Sequence, residues 1–484
     1  MNSEEKNSMR NYLQKQITEI PTILQEELTY NNELFNKRND FEDITQMIDD
    51  FLNGENINRF IVLPGLRGVG KTTILYQVYE YLLKTKNINQ NQILYISCDN
   101  INKITKCDIL ETIEFYLEEF HHLTPRTLKK ELFLLIDECH FDNEWSMAGK
   151  IIYDQSKKIF MIFTGSSALK LEYENEAKRR MIRNSIFPLN YSQHLKLKYN
   201  YDAGNISNEL FNLLFTSEID KSCELEQKIN KDLMNLKNYT TNDWDNYFKF
   251  GGFPSVLHEK TERKSCEKLY EAVDTIVTKD LGAIKNITTD SEDKSLRLLQ
   301  FLAQKLPGDI SQATLAQSAN TNKNTVNSLL RLLEKTQLIF HYEPYVSPGG
   351  RVKKSWNYYF ANSSIRHAIN KHFGFSSIKK EDYYGILLEN LVASSLFNIK
   401  NNENYFEFDI FFELGKNTVD FLIKKGFENP IPIEVGLGDK SKRQIKKAIN
   451  KFNSEYGIII SSTTNTIEKD DDIIYIPIKT FSLM

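Results

Sequence analysis

Gly65, Gly70, Lys71 and Thr72 stand at the spacing G-x-x-x-x-G-K-[ST] within the stretch 60–73, FIVLPGLRGVGKTT, and each residue type has a task in holding a polyphosphate. Glycines at 65, 68 and 70 let the backbone turn tightly enough to aim successive N–H groups inward at phosphate oxygens. Gly65, Gly68, Val69, Gly70, Lys71, Thr72 and Thr73 are therefore the expected nucleotide-binding set. Lys71 would reach the β- and γ-phosphates, and the Thr72 hydroxyl would serve a bound Mg²⁺. Downstream, 132–136 is wholly apolar and ends in Asp137-Glu138, two carboxylates at a strand's C-terminal edge, where ligands bind in open α/β sheets. Asp137 is expected to hold Mg²⁺ through its water shell, and Glu138 to orient or deprotonate an attacking water. An acidic pair ending a strand is by itself as often solvated loop; behind a phosphate loop the catalytic reading is much the stronger.

Two further groups of polar residues follow. Thr164-Gly165-Ser166-Ser167 ends another apolar run, and Ser166 is placed to sense a γ-phosphate or position water, a role compatible with capping the next helix. Arg179 and Arg180 come next, and either would be an arginine given to a neighbouring subunit's nucleotide; a solvated basic face is the even alternative. Near the C-terminus, the strand-like segments NTVDFLIKK and IPIEVGLG present Asp420 and Glu434, a pair suited to hold a Mg²⁺ that activates water against a phosphodiester.

These residues need elements to position them. The run 60–63 is short and bounded by Pro64-Gly65, as a buried parallel strand would be, and Ile74, Leu75, Val78, Tyr79 and Leu82 recur behind the loop at helical spacing. Strands at 92–99, 132–137 and 159–165 alternate with a helix at 109–120, the rhythm of an open parallel sheet with helices on both faces. Residues 1–50 read as polar and helical, with Pro21 expected to interrupt or start a helix. Residues 200–250 are polar and helical in pattern. From 291 three amphipathic helical segments, a turn at Asn320-Thr321-Asn322 and a strand-like LIFHYEPYV suggest a winged helix. Its third helix carries Lys323, Asn324, Asn327, Arg331 and Lys335 with Glu334, a thin basic stripe for which DNA reading and simple packing are even alternatives. The apolar helix 384–398 bears Glu389.

The chain has 484 residues, enough for roughly three domains, and its 40% hydrophobic and 26% charged residues are those of a soluble globular protein. A net charge of −4 confines any nucleic-acid surface to a local patch. The opening MNSEEKNSMRNYL lacks the apolar segment of a signal, and no run is long enough for a membrane span. Five cysteines with no C-x-x-C pair argue against a zinc site or a disulfide framework and for a reducing cytoplasm.

GLRGVGKTT, LLIDE, FTGSS, Arg179-Arg180 before FPLNYSQ, then GGFPSVL (251–257) and VTKDL (277–281), in that order, resemble prokaryotic AAA+ ATPases that carry a C-terminal nuclease-like domain. The resemblance runs from about residue 38 to the end. It implies ATP and Mg²⁺ as cofactors, nucleic acid as partner with DNA favoured over RNA, a homo-oligomer, and a terminal domain related to PD-(D/E)xK nucleases. The absence of the N-K-x-D tetrapeptide of small GTPases leans the same way, towards adenine. In the PD-(D/E)xK order Glu389 is the upstream acidic member of the metal set, with Asp420 and Glu434; the lysine expected two residues after Glu434 is Gly436, so Lys440 or Lys442 would have to supply the cation. A live nuclease and a degenerate nuclease fold are even alternatives. The expected organisation is an N-terminal helical segment (1–50), a P-loop α/β core (51–200), a helical lid (201–290), a winged helix (291–372) and a small α/β PD-(D/E)xK-like domain (373–484). The function expected is an ATPase whose nucleotide state is coupled to a nuclease-like domain, in defence or mobile-element handling; the rival is an ATP-gated switch whose inactive terminal fold binds a partner.

Overall fold

The computed structural model describes residues 3–165, 179–284, 288–305, 310–351, 354–374, 378–402, 405–437 and 442–484. The described chain forms two compact units, one reaching to Phe187 and the other comprising nearly all that follows.

After a small hairpin of β1 (Thr29–Tyr30) and β2 (Glu33–Leu34), the first unit is built on β3 (Phe60–Pro64), β4 (Ile93–Ser97), β5 (Leu132–Asp137), β6 (Ile159–Gly165) and β7 (Ile182–Arg183). They lie in the order β4-β5-β6-β3-β7, all parallel. Every residue of β3, β5 and β6 is buried, which is why these strands read as unbroken apolar runs instead of alternating ones. Register brings Pro64 beside Gly165 and Ser97 beside Asp137, so the polar residues that end these strands gather along one edge of the sheet.

The N-terminal helix corrects one expectation. Pro21 neither starts nor interrupts it: the helix runs unbroken over Ser3–Glu27. Proline has no N–H to give the carbonyl four residues back. The Gln90 side chain fills that gap, its Nε2 donating to the Ile17 carbonyl at 2.5 Å.

In the second unit, helices Tyr191–Tyr199, Ile206–Thr216, Asp220–Asn235, Asn242–Phe250 and Glu262–Thr275 come first. Helices Thr289–Gln304, Gln312–Ser318 and Lys323–Lys335 follow, then the antiparallel pair β8 (Ile339–Pro344) and β9 (Asn357–Phe360). Helix Lys323–Lys335 buries Val326, Leu329, Leu330 and Leu333 and leaves Lys323, Asn324 and Arg331 exposed. Beyond helices Ser363–Phe373 and Lys380–Lys400 lie β10 (Asp409–Phe412), β11 (Phe421–Lys424), β12 (Ile431–Gly436), β13 (Gly457–Ser461), β14 (Glu468–Asp470) and β15 (Ile473–Pro477). One mixed sheet holds β14-β15-β13-β12-β11-β10-β8-β9, and β8 pairs in parallel with β10. The sheet thus runs straight across residue 373.

A single apolar core extends from Tyr191 and Leu195 through Leu387 and Ile433 to Met484. The Tyr191 N–H donates to the Ser482 carbonyl at 2.7 Å, and the Ser192 and Ser207 hydroxyls donate to the Leu483 carbonyl at 2.7 and 2.9 Å. The helices after residue 190 are therefore packed onto the last strands of the same unit. All five cysteines are free. No helix among the described residues is long and apolar enough to cross a membrane.

Candidate functional site

The loop 65–70 leaves β3 and enters helix Lys71–Glu80 through Gly68 and Gly70, at φ 82° and 96°, values that side-chain-bearing residues adopt at a cost. Gly65 is needed for a different reason: a Cβ there would run into the Ile186 carbonyl oxygen. Lys71 is buried, its ammonium donating to the Gly65 and Leu66 carbonyls at 2.9 Å each, so the cation lies folded onto the loop it serves.

Across the sheet edge the Thr72 hydroxyl donates to Asp137 Oδ2 at 2.8 Å. Tyr95, midway along β4, donates to the same oxygen at 3.2 Å, and Thr164 near the end of β6 donates to Oδ1. Side chains from β4, β6 and the helix after the loop thus meet on the carboxylate that ends β5. Burial, then the charge of Glu138, pushes the Asp137 carboxyl above its ordinary range, against hydrogen bonds from Thr164 and Thr72 and the Lys71 charge.

Glu138 sits at φ 54°, a left-handed backbone that turns its side chain off the line of β5. Its N–H donates to the Thr164 hydroxyl at 3.2 Å. His140 Nδ1 lies 3.2 Å from one carboxylate oxygen, and the Arg67 guanidinium 4.0 Å from the other. The carboxylate therefore stands between a histidine and an arginine carried by the phosphate loop itself.

The other sequence-derived residues fall as follows. Ser166 and Lys440 lie outside the described residues. Arg179 and Arg180 precede β7, whose Ile182 pairs with Ile61, so they stand at the opposite end of the strands from the loop, with about 13 Å of strand between Ile61 and Gly65. Arg180 Nε lies 2.6 Å from Asp154 Oδ1.

In the second unit the register places Asp420, just before β11, across from Glu434 on β12. Asp420 Oδ2 accepts the Val435 N–H at 2.7 Å, and Glu434, buried, accepts from Gln444 Nε2 at 2.9 Å. Glu389 accepts the Tyr359 hydroxyl at 2.8 Å. Lys442 does not take the position expected of it: its ammonium pairs with Asp470 on the edge strand β14. Gln444, two residues further along the helix, reaches Glu434.

Arg38, Arg67, His140, Tyr95 and Gln444 are contacts that sequence reasoning missed. Arg38 is buried, and its guanidinium donates to the Val69 carbonyl at 2.7 Å and the Phe187 carbonyl at 3.1 Å, pinning the loop from outside. Arg67 had a signal, since it lies inside the motif; Arg38 had none.

An all-parallel five-stranded sheet with a phosphate loop between β3 and its helix is a P-loop α/β core. Residues 57–195 match the family model AAA_14, described as an AAA domain. Residues 241–377 and 384–481 match two families described as domains of unknown function, DUF8612 and DUF4143. An uncharacterized protein of Methanocaldococcus jannaschii is 29% identical over 98% of this chain and 94% of its own length. A second uncharacterized protein of that organism is 24% identical over 81% of this chain and 78% of its own. Among solved structures, the ORC2 protein of Aeropyrum pernix is similar at 12% identity over 74% of this chain and 96% of that one, with a TM-score of 0.36, too low to bear on function.

Proposed function

We propose that this protein binds and hydrolyses ATP, and that its nucleotide state governs what the second unit binds. The observation that carries the reading is the meeting of Thr72, Asp137 and Thr164 beside Lys71 at one sheet edge. Loop N–H groups and the start of helix Lys71–Glu80 would cradle the phosphates, and Lys71 would exchange two loop carbonyls for phosphate oxygens. Thr72 and Asp137 offer hard oxygen donors that suit Mg²⁺, which when bound neutralises phosphate charge. Glu138 would take the proton of the attacking water, with His140 and Arg67 fixing its direction. Arg179 or Arg180 would reach the nucleotide of a neighbouring copy in a homo-oligomer.

For the second unit, the three helices ahead of β8 and β9 are read as a winged helix, and the strands around Asp420 and Glu434 as a PD-(D/E)xK-type fold. Among the described residues Gln444 meets Glu434 and Lys442 is engaged by Asp470, so the cation of a live nuclease would be Lys440, and without it the fold would serve partner binding. A phosphodiester transition state needs a cation near the metal-bound carboxylates, which a glutamine does not supply. Nucleic acid, DNA before RNA, is the partner suited to the basic helix Lys442–Phe452.

The test is a parallel assay of ATP turnover and of Mg²⁺- or Mn²⁺-dependent cleavage, with and without DNA and RNA. Lys71→Ala is expected to abolish nucleotide binding and turnover. Turnover at the parental rate in that variant would remove the ATPase reading, and robust cleavage by the parental protein would remove the partner-binding one.

A further inference from the structure

A second grouping of ligand-type atoms lies in the second unit, away from Asp420 and Glu434 in the sequence and built on helices instead of strands. Glu262 and Cys266 sit one turn apart on helix Glu262–Thr275, so both face the same way. Helix Ser363–Phe373 packs beside them and brings His367. One carboxylate oxygen, the Cys266 sulfur and one His367 ring nitrogen all lie within 4.8 Å of one another. His367 Nε2 is 3.1 Å from Glu262 Oε1, and Nδ1 is 2.6 Å from the Tyr383 hydroxyl. Cys266 and His367 are buried and Glu262 is half-buried, leaving the carboxylate as the side open to water.

We propose that Glu262, Cys266 and His367 bind one transition-metal dication of the zinc type. The donor set selects the ion: a thiolate sulfur and an imidazole nitrogen suit Zn²⁺ or Co²⁺, whereas Mg²⁺ and Ca²⁺ take oxygen. Bonds of about 2.0 to 2.3 Å in a tetrahedral shell put neighbouring ligand atoms roughly 3.3 to 3.8 Å apart. The His367 and Glu262 atoms stand at 3.1 Å and all three lie within 4.8 Å of one another, so an inward turn of the side chains would close the site, with water as fourth ligand. Tyr383 supplies the outer support that ligating histidines commonly have: with Nδ1–H donating to its hydroxyl, Nε2 turns its lone pair to the ion.

Without the ion the same groups are satisfied differently. The Tyr383 hydroxyl donates to Nδ1, Nε2–H donates to Glu262, and Lys371 closes on Glu262 at 2.8 Å. Burial pushes the Cys266 thiol up to about 12, so it stays a neutral S–H. Binding would shift the His367 proton from Nε2 to Nδ1, release one proton from Cys266 to solvent, and displace the Lys371 ammonium, whose 42% exposed side chain can withdraw into water. Lys371 is therefore the competitor of the metal. The scattered cysteines gave no sign of this site, because Cys266 and His367 stand 101 residues apart on different helices and share no sequence spacing of a zinc motif.

The experiment uses the full chain, stripped with a chelator and titrated with Co²⁺. The expected result is one equivalent bound with a thiolate-to-cobalt absorption band, displaced by Zn²⁺ and untouched by Mg²⁺. Cys266→Ser should lose the band, and Tyr383→Phe should weaken binding about ten- to a hundredfold. Lys371→Met, a change at a half-exposed position that leaves all three ligands in place, should bind Co²⁺ more tightly than the parent. No band in the parental protein, the same band in Cys266→Ser, or equal or weaker binding by Lys371→Met would overturn the proposal.

Discussion

The sheet edge at Asp137 and the strand pair at Asp420 and Glu434 have the same raw materials, carboxylates at the ends of buried strands, and arrange them to opposite effect. At Asp137 the donors around the carboxylate are hydroxyls of Thr72, Thr164 and Tyr95, groups that can turn to another oxygen ligand, and a lysine stands on the loop beside them. At Asp420 and Glu434 the donors among the described residues include the Val435 backbone N–H and the amide of Gln444. The lesson is that carboxylate positions alone do not define a phosphate-processing site; the identity of the groups facing them does.

The difference can be tested from its strong end. Arg179→Ala/Arg180→Ala is expected to lower ATP turnover about a thousandfold without loss of nucleotide binding, if either arginine completes a neighbour's site. Mixing that variant with Lys71→Ala should restore part of the rate, read by coupled phosphate release; full turnover in the unmixed variant would show that no arginine here is shared. Glu138→Gln should keep nucleotide affinity and lose about a hundred- to ten-thousandfold in rate. Comparable loss of binding would mean that Glu138 shapes the pocket instead of acting on water.

At the other site, Gln444→Lys is the sharper change. It places an ammonium where a neutral amide now meets Glu434, and the expected outcome is Mn²⁺-dependent nicking of DNA in the variant and none in the parent. Nicking by the parent itself would erase the contrast between the two sites.

The smallest effect concerns acid. Burial lowers His194 to about 4 from an ordinary value near 6.5. Its Nδ1 lies 3.0 Å from the Gly251 carbonyl, and a ring that is neutral when folded but protonated when unfolded makes the unfolded state the better proton binder. Stability from this residue is full above pH 6.5 and falls as pH drops from about 6.5 to about 4, by roughly 3 kcal/mol at most. Denaturant melts across that range should show a shallower slope for His194→Gln than for the parent.

What could be read from the sequence follows the range of the forces involved. The strands β3, β5 and β6 announce themselves as apolar runs, and the phosphate loop is a local motif whose glycines act within a few residues of one another. Arg38 is a different matter, since its tie to Val69 joins residues 31 apart with no pattern between them. The same holds for Gln444 on Glu434, a contact between a helix and a strand with no pattern joining them. Pro21 shows the limit from the other side: the local rule is sound, but a side chain 73 residues from Ile17 supplies what the rule says is missing.

The parallel pairing of β8 with β10 has a practical consequence for anyone dividing this chain. A fragment ending near residue 373 would carry β8 with one bare edge, and a fragment starting there would carry β10 likewise. Unpaired edges are templates for association between molecules. Fragments cut at that point should therefore clump or swap strands with one another, and pieces intended for separate expression are better taken with β8 through β15 kept together.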